Sequence, residues 1–463
     1  LGLRALLLAA ALPCAVLLLM QPRWAYWLLV AAIPVTVDFG AGLTVTRLVL
    51  PLVLLSVLGN ALLQRGPWPS PWASPAARTG TLFFATIALS ALTAWALPGT
   101  ALDRERLGVE LNASLTRLVI FMLTLSMVRS RDDLRAVLRV LVIAGVLEAL
   151  LVVAQVHWRL TLPGDWRAAA INNIDATVGD FRAEGTTAHP IYLAGYLQMV
   201  LPFAVLAGVQ ARLGGRLLAL AGLALMLYAW SAAVSRSSLL GILAMTGTAL
   251  CIWSRWGRAL VLSLAVLLVL ALAAHGWRAT ELAQSIEQLR SLGGGLRPEQ
   301  LTSTAGSLAF RLESSAGGWA LFMAHPLTGV GLGQTYHLYS PYLPVWAESP
   351  YHPQDIHNAF VGVATDAGAL SLAALLALWW LALRGVRAAW HDPELGAAAR
   401  TLCVALVGQL VFVCLTPMVR DMWFTLALAA TMGSLMRQQA TAAVAPATTT
   451  PASATRQPSP PRP

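Results

Sequence analysis

Phe310-Arg311-Leu312-Glu313, Trp319, His325-Pro326-Leu327-Thr328-Gly329-Val330-Gly331-Leu332-Gly333 and Asp355-Ile356-His357-Asn358 follow one another in a polar-edged segment. That segment leads into an apolar run that carries Asp366 and Gly368 and ends at Leu383. An apolar run of this length crosses a bilayer core of about 30 Å as a helix. The polar segment therefore ends at a membrane face, with the imidazole of His357 at the seam.

The same pattern recurs along the chain. Further apolar pieces cover residues 3–20, 24–37, 43–63, 81–97, 111–128, 136–156, 190–209, 217–234, 238–254, 259–275, 401–417 and 422–435, the first interrupted by Pro13. Of the 463 residues 57% are hydrophobic and 11% charged, where a soluble domain would carry roughly a quarter charged. The pieces do not alternate as barrel strands do. The expected fold is an all-α polytopic membrane protein of about 12 transmembrane helices with a helical cap on the outer side. Residues 1–436 would form the membrane domain. Residues 437–463, rich in Ala, Thr, Ser and Pro, would form a disordered cytoplasmic tail.

The net charge of +10 comes from arginine, as the chain has no lysine. Most arginines flank apolar runs, which is the positive-inside pattern and not a nucleic-acid footprint. Arg129, Arg131, Arg135, Arg139, Arg212, Arg216, Arg255, Arg258, Arg384 and Arg387 fall on one side if the turns alternate, and that side is read as cytoplasmic. The long segments 157–189 and 276–356 then lie outside. The N-terminal pieces admit twelve or thirteen crossings; twelve, with both ends inside, is the expectation. The N-terminal run shows no convincing small-residue cleavage site and reads as an anchor. Within 276–356, Leu282, Ile286 and Leu289 recur at helical spacing, Gly293-Gly294-Gly295 ends that helix, and a second helix is expected over 303–323. Cys14, Cys251, Cys403 and Cys414 sit in apolar runs at no metal or disulfide spacing and read as packing residues.

Several polar residues on the outer side stand out. Arg182 reads either as a loop arginine paired with Glu184 or Asp180, or as an anion ligand. Arg236 sits in a tight outer turn against the positive-inside rule and calls for a partner, an acid from a loop or a phosphate. A guanidinium fork matches two phosphate oxygens at once. Arg311 lies on the expected outer helix, with Glu313 near and Trp319 eight residues on. Its bland alternative is a solvated or salt-bridged arginine. Together Arg182, Arg236 and Arg311 would suit a diphosphate. Asp355 is expected to N-cap the next helix and to put His357 in its first turn, where the helix terminus disfavours imidazolium and keeps a general base neutral. His357 reads otherwise as an interface histidine. Asn358 would orient the ring or a substrate hydroxyl. Asp366 and Glu148, acids inside spans, would bind neighbouring spans or serve function. Gly329, Gly331 and Gly333 read as a turn, without the strand and helix of a dinucleotide site. His325, His337, His352 and His357 form no recognised metal-ligand set, so no metal is expected.

At these residues the chain resembles the O-antigen ligase and O-antigen polymerase superfamily of bacterial envelope enzymes. The likeness rests on Phe181-Arg182-Ala183-Glu184-Gly185-Thr186, Ser235-Arg236-Ser237, Arg311 with Trp319, His325 to Gly331, and His357-Asn358 opening a span with Asp366 and Gly368, and it covers roughly 136–417. It implies a membrane-embedded, metal-independent, inverting glycosyltransferase without cofactor, in the bacterial inner membrane with a periplasmic active site. Its donor would be O-polysaccharide on undecaprenyl diphosphate. The acceptor would be lipid A–core for a ligase, or a second lipid-linked repeat for a polymerase. The resemblance gives His357 the role of base, gives Arg236 and Arg311 the diphosphate, and extends to Arg182 less directly. Compact length and one large late outer loop resemble the ligases. Membrane lipids are expected partners and nucleic acid is not. A non-enzymatic transporter of the same lipid-linked sugar is the alternative from another class, although no internal repeat supports it.

Overall fold

The computed structural model describes residues 16–36, 44–63, 71–96, 103–158, 160, 182–187, 189–233, 235–253, 258–259, 261–262, 265–266, 269, 303–343, 355–417 and 419–444. The helices are α1 (Pro22–Ala31), α2 (Val45–Leu62), α3 (Pro75–Ala96), α4 (Arg104–Met127), α5 (Arg131–Trp158), α6 (Pro190–Gln210), α7 (Leu213–Ala232), α8 (Arg236–Ile252), α9 (Ser303–Ala324), α10 (Thr335–Leu338), α11 (Ala359–Ala388), α12 (Gly396–Val413) and α13 (Arg420–Val444). Among the described residues there is no strand, and eight helices are long and apolar enough to cross a membrane. The chain is a polytopic helical membrane protein.

The expected helix over 303–323 is present as α9. The expected amphipathic helix at Leu282, Ile286 and Leu289 lies outside the described residues, as do His352, Cys14 and most of the apolar pieces 3–20 and 259–275. The last helix runs on to Val444, past the point where the tail was expected to begin; residues 445–463 lie outside the described residues.

Helix α6 is the most enclosed of the eight candidate spans and packs on α7 and α12, while α11 packs on α3, α9 and α13. Trp423 of α13 anchors the centre: its ring lies 4.8 Å from those of Phe83 and Phe84 and 5.9 Å from Phe121. Edge-to-face and tilted aromatic contacts of this kind add to the area they bury.

The two ends of the bundle differ in chemistry. At one end the α4–α5 turn meets the α11–α12 turn, where Arg131 pairs with Asp392 and Glu394, and Arg135 with Glu394. Arg400 donates to the Trp390 carbonyl at 3.1 Å nearby. At the other end lie the 182–187 segment and the starts of α6, α8 and α11. Helix α5, of 28 residues, separates the two ends by roughly 42 Å.

Helix α11 is not the continuous span expected over 357–383. Gly368 has φ 78° and ψ −176°, a conformation open in practice to glycine alone. The glycine turn after α9 fills the break. Val330 N–H donates to the Thr365 carbonyl at 2.8 Å, Gly331 N–H to Asp366 at 3.0 Å, and Ala369 N–H to Pro326 at 2.8 Å. Gly329, Gly331 and Gly333 all have positive φ, which lets this turn approach the open helix. The Asp366 side chain accepts from Thr335 of α10, so its partner is this short helix and not a neighbouring span. A short half-helix, 359–367, thus carries His357 at its head, held apart from the spanning half.

Candidate active site

The site is assembled from four chain segments. The first is 182–187, in the Phe181-to-Thr186 motif. Gly185 (φ 62°) turns the chain beneath α5, and a Cβ there would meet Glu148 Oε1 at 2.2 Å. The side-chain amide of Gln155 reads both backbone groups of Gly185, accepting from its N–H at 2.9 Å and donating to its carbonyl at 2.8 Å. The Glu148 carboxylate accepts from the Thr186 hydroxyl at 2.9 and 3.0 Å, and from its N–H. The acid inside α5 therefore has a local partner: it docks this loop.

That docking presents Arg182. Its Nε and Nη2 donate to the Ala233 carbonyl at 3.2 and 3.1 Å, and Ala183 N–H donates to the Ala232 carbonyl at 3.1 Å. The last carbonyls of a helix have no partner within it, and here the motif supplies one to α7. Ser235 then caps α8, its hydroxyl accepting from Ser238 N–H at 3.4 Å, with Arg236 at the first helical position.

Arg311 reaches this turn from α9 and donates to the Ser237 hydroxyl. Burial lowers its pKa to about 10, helped by the charges of Arg236 and then Arg182. Arg236 and Arg182 thus both lie within electrostatic reach of Arg311.

His357 lies beside them. Burial lowers its pKa first, then the Arg311 charge, against the raising effect of Asp355. The cap is Asn358 and not Asp355: its side-chain oxygen accepts from Phe360 N–H at 3.1 Å and Val361 N–H at 3.2 Å. Asn is as good a cap as Asp, and it leaves His357 just ahead of the first turn. The carboxylate of Asp355 pairs instead with Arg106 of α4. His357 Nδ1 lies 2.9 Å from the Asp355 carbonyl. A carbonyl only accepts, so the proton of the neutral ring is on Nδ1 and the lone pair on Nε2.

A second histidine went unread in the sequence. His189 caps α6, with Nδ1 accepting from Ile191 N–H at 3.1 Å and Pro190 at the first helical position. Its pKa falls to about 4 through burial, then through Arg182, His357 and Arg311. Its Nδ1 is an acceptor, so its proton is on Nε2. A polar residue followed by proline at a span start is a cap signature, and that signal was available.

Trp319 follows Arg311 on α9. It is 48% exposed and packs on Phe322, with ring centroids 5.1 Å apart. Leu312 and Met323 are also exposed and share that apolar side of α9, and Leu327 is exposed in the turn that follows. Among the described residues no group of three His, Cys, Asp or Glu side chains gathers as metal ligands would.

Residues 221–376 match the family model described as O-antigen ligase. Over this stretch the chain is similar to the O-antigen ligase family. The O-antigen ligase match takes in Arg236, Arg311, Trp319, His357, Asn358, Asp366 and Gly368, and stops short of Arg182 and His189. No curated protein matches the chain.

Proposed function

We propose that the chain is an O-antigen ligase of the bacterial inner membrane. It transfers O-polysaccharide from undecaprenyl diphosphate to a sugar hydroxyl of lipid A–core, at the periplasmic face. The observation that carries this reading is the meeting of Arg182, Arg236 and Arg311 with a neutral His357 at one end of the bundle. The opposite end gathers Arg131, Arg135 and Arg400, and the positive-inside rule makes that end cytoplasmic.

The chemistry follows from the groups present. The acceptor hydroxyl gives its proton to Nε2 of His357 as its oxygen attacks the anomeric carbon. The bond from that carbon to the diphosphate breaks, and the electron pair leaves on the diphosphate. Guanidinium groups stabilise the charge that grows there, strongly because the site is partly withdrawn from water. One direct displacement inverts the anomeric centre. The arginines supply charge stabilisation without a metal.

Purified protein, lipid-linked O-polysaccharide and lipid A–core, with EDTA present, test the reading. A ligase makes full-length lipopolysaccharide and releases undecaprenyl diphosphate. Lengthening of the donor without use of lipid A–core would make the chain a polymerase. Movement of the intact lipid-linked sugar, with no diphosphate released, would make it a transporter.

A further inference from the structure

Below the same end of the bundle lies a second basic cavity that the transfer chemistry does not use. It holds about 240 Å³, and its charged lining is Arg47, Arg117 and Arg420 against the single acid Asp421. The three guanidinium groups come from α2, α4 and α13. Arg420 Nη1 donates to the Thr46 hydroxyl at 3.0 Å. Arg117 and Arg47 lie close enough to Arg420 for their charges to repel it. Asp421 is engaged elsewhere, accepting from Gln409 Nε2 at 2.8 Å. Arg117 sits roughly 20 Å along α4 from its start. A cation at that depth in a membrane helix is costly and marks a site by default. Glu110 lies 3.9 Å from it and offsets part of the charge. Thr44, Thr116 and Tyr192 are among the other residues that line it. The volume falls below the roughly 300 Å³ of a drug-sized pocket, which suits a phosphate-sized head and not a sugar chain.

The cavity does not stand alone. Arg117 and Tyr192 also line a neighbouring space of about 120 Å³, whose wall includes Asp355, Ile356 and Asn358, on either side of His357. The second arginine group is thus joined, through Arg117, to a space walled by the residues that flank His357.

We propose that Arg47, Arg117 and Arg420 form a second anion site, which holds a phosphate of the acceptor lipid's head group while a sugar hydroxyl of that lipid lies against His357. The identity of the ligand rests on the ligase reading. Two substrates must meet at His357. Arg182, Arg236 and Arg311 serve the donor's diphosphate, and the second group of arginines opens through Arg117 of α4 towards the residues on either side of the same histidine. Guanidinium groups bind phosphate through paired donors and fixed charge, so a phosphate is the ligand their chemistry selects.

The test is binding, read by native mass spectrometry on the full chain in detergent. The probes are lipid A–core with its phosphates, the same lipid dephosphorylated, and undecaprenyl diphosphate. Wild type is expected to bind the phosphorylated acceptor about tenfold more tightly than the dephosphorylated form. Arg47→Gln and Arg117→Gln are expected to erase that preference and to leave undecaprenyl diphosphate within about twofold of wild type. Arg420→Lys retains charge where Arg420→Gln would leave Thr46 without its donor, and is expected to weaken the preference only in part. Equal binding of both acceptor forms by wild type overturns the proposal. So does a loss in the variants that falls on undecaprenyl diphosphate, which would assign the cavity to the donor. Failure to bind either acceptor form, with the donor still bound, overturns the ligase reading and this assignment with it.

Discussion

His357 Nδ1 donates to the Asp355 carbonyl at 2.9 Å, and this contact decides which nitrogen of the ring can take a proton. The lone pair is left on Nε2. Burial and the charge of Arg311 hold the ring neutral below the ordinary histidine range. His189 is arranged the other way, with Nδ1 accepting from Ile191 N–H and Nε2 carrying the proton. One end of the bundle therefore presents two neutral histidines of opposite tautomer, one with a lone pair on Nε2 and one with its proton there.

If His357 is the base, the acidic limb of the pH profile of kcat/KM lies below pH of about 6.5, the unperturbed histidine value. Arg311→Gln removes a charge that opposes protonation, so the limb moves to higher pH in that variant, whatever rate remains. An acidic limb that stays in place in Arg311→Gln would separate the two residues.

His189 is depressed from about 6.5 in the unfolded chain to about 4 in the native one. Between those values the unfolded chain binds the additional proton, so native stability is full above pH of about 6.5 and declines as pH falls towards 4. His189→Asn supplies a cap oxygen in place of Nδ1 and removes the titration. Its unfolding temperature is expected to drop less than that of wild type between pH 7 and pH 5, which thermal unfolding in detergent measures.

Gly368 and Gly362 lie six residues apart on α11 and should respond oppositely to alanine. At Gly368 the backbone strain costs about 1–3 kcal/mol, and a Cβ would sit 2.1 Å from the Leu327 carbonyl oxygen. Gly368→Ala is expected to lower the unfolding temperature and the transfer rate together. No atom lies within 4 Å of a Cβ built at Gly362, and alanine there should gain up to about 1 kcal/mol of helix stability. Equal effects at both positions would contradict the broken-helix account.

Asn358→Ala removes the cap of the half-helix, with an expected cost of about 1 kcal/mol. Asn358→Ser or Asn358→Asp should restore most of it. Rescue of both stability and transfer by these caps assigns Asn358 to positioning of His357. Rescue of stability without transfer would instead favour a direct contact of its amide with substrate.

The sequence carried much of this architecture because membrane helices are written in local composition. The run 190–209 appears as α6 (Pro190–Gln210), and the outer helix expected over 303–323 appears as α9. The broken helix was hidden, since a glycine in an apolar run reads as a packing residue until the turn that fills its gap is known. The meeting of Arg182, Arg236 and Arg311 was a guess about convergence, because separations across a bundle depend on helix packing and not on spacing. Arg117 was legible as an arginine inside an apolar run, yet its partners Arg47 and Arg420 are distant in the chain and belong to other helices. The Asp355 cap was misread for a local reason: Asp355 and Asn358 are equally good caps, and the pull of Arg106 on Asp355 comes from α4.

The most direct test of the account is the rate of polysaccharide transfer to lipid A–core by His357→Ala, beside wild type and with EDTA present throughout. Removal of a general base lowers a rate typically about 10²–10⁴-fold. The account predicts a loss of that order in a variant that still folds and still binds the lipid-linked donor. Transfer by His357→Ala at the wild-type rate would contradict it, and would remove His357 from the chemistry of this site.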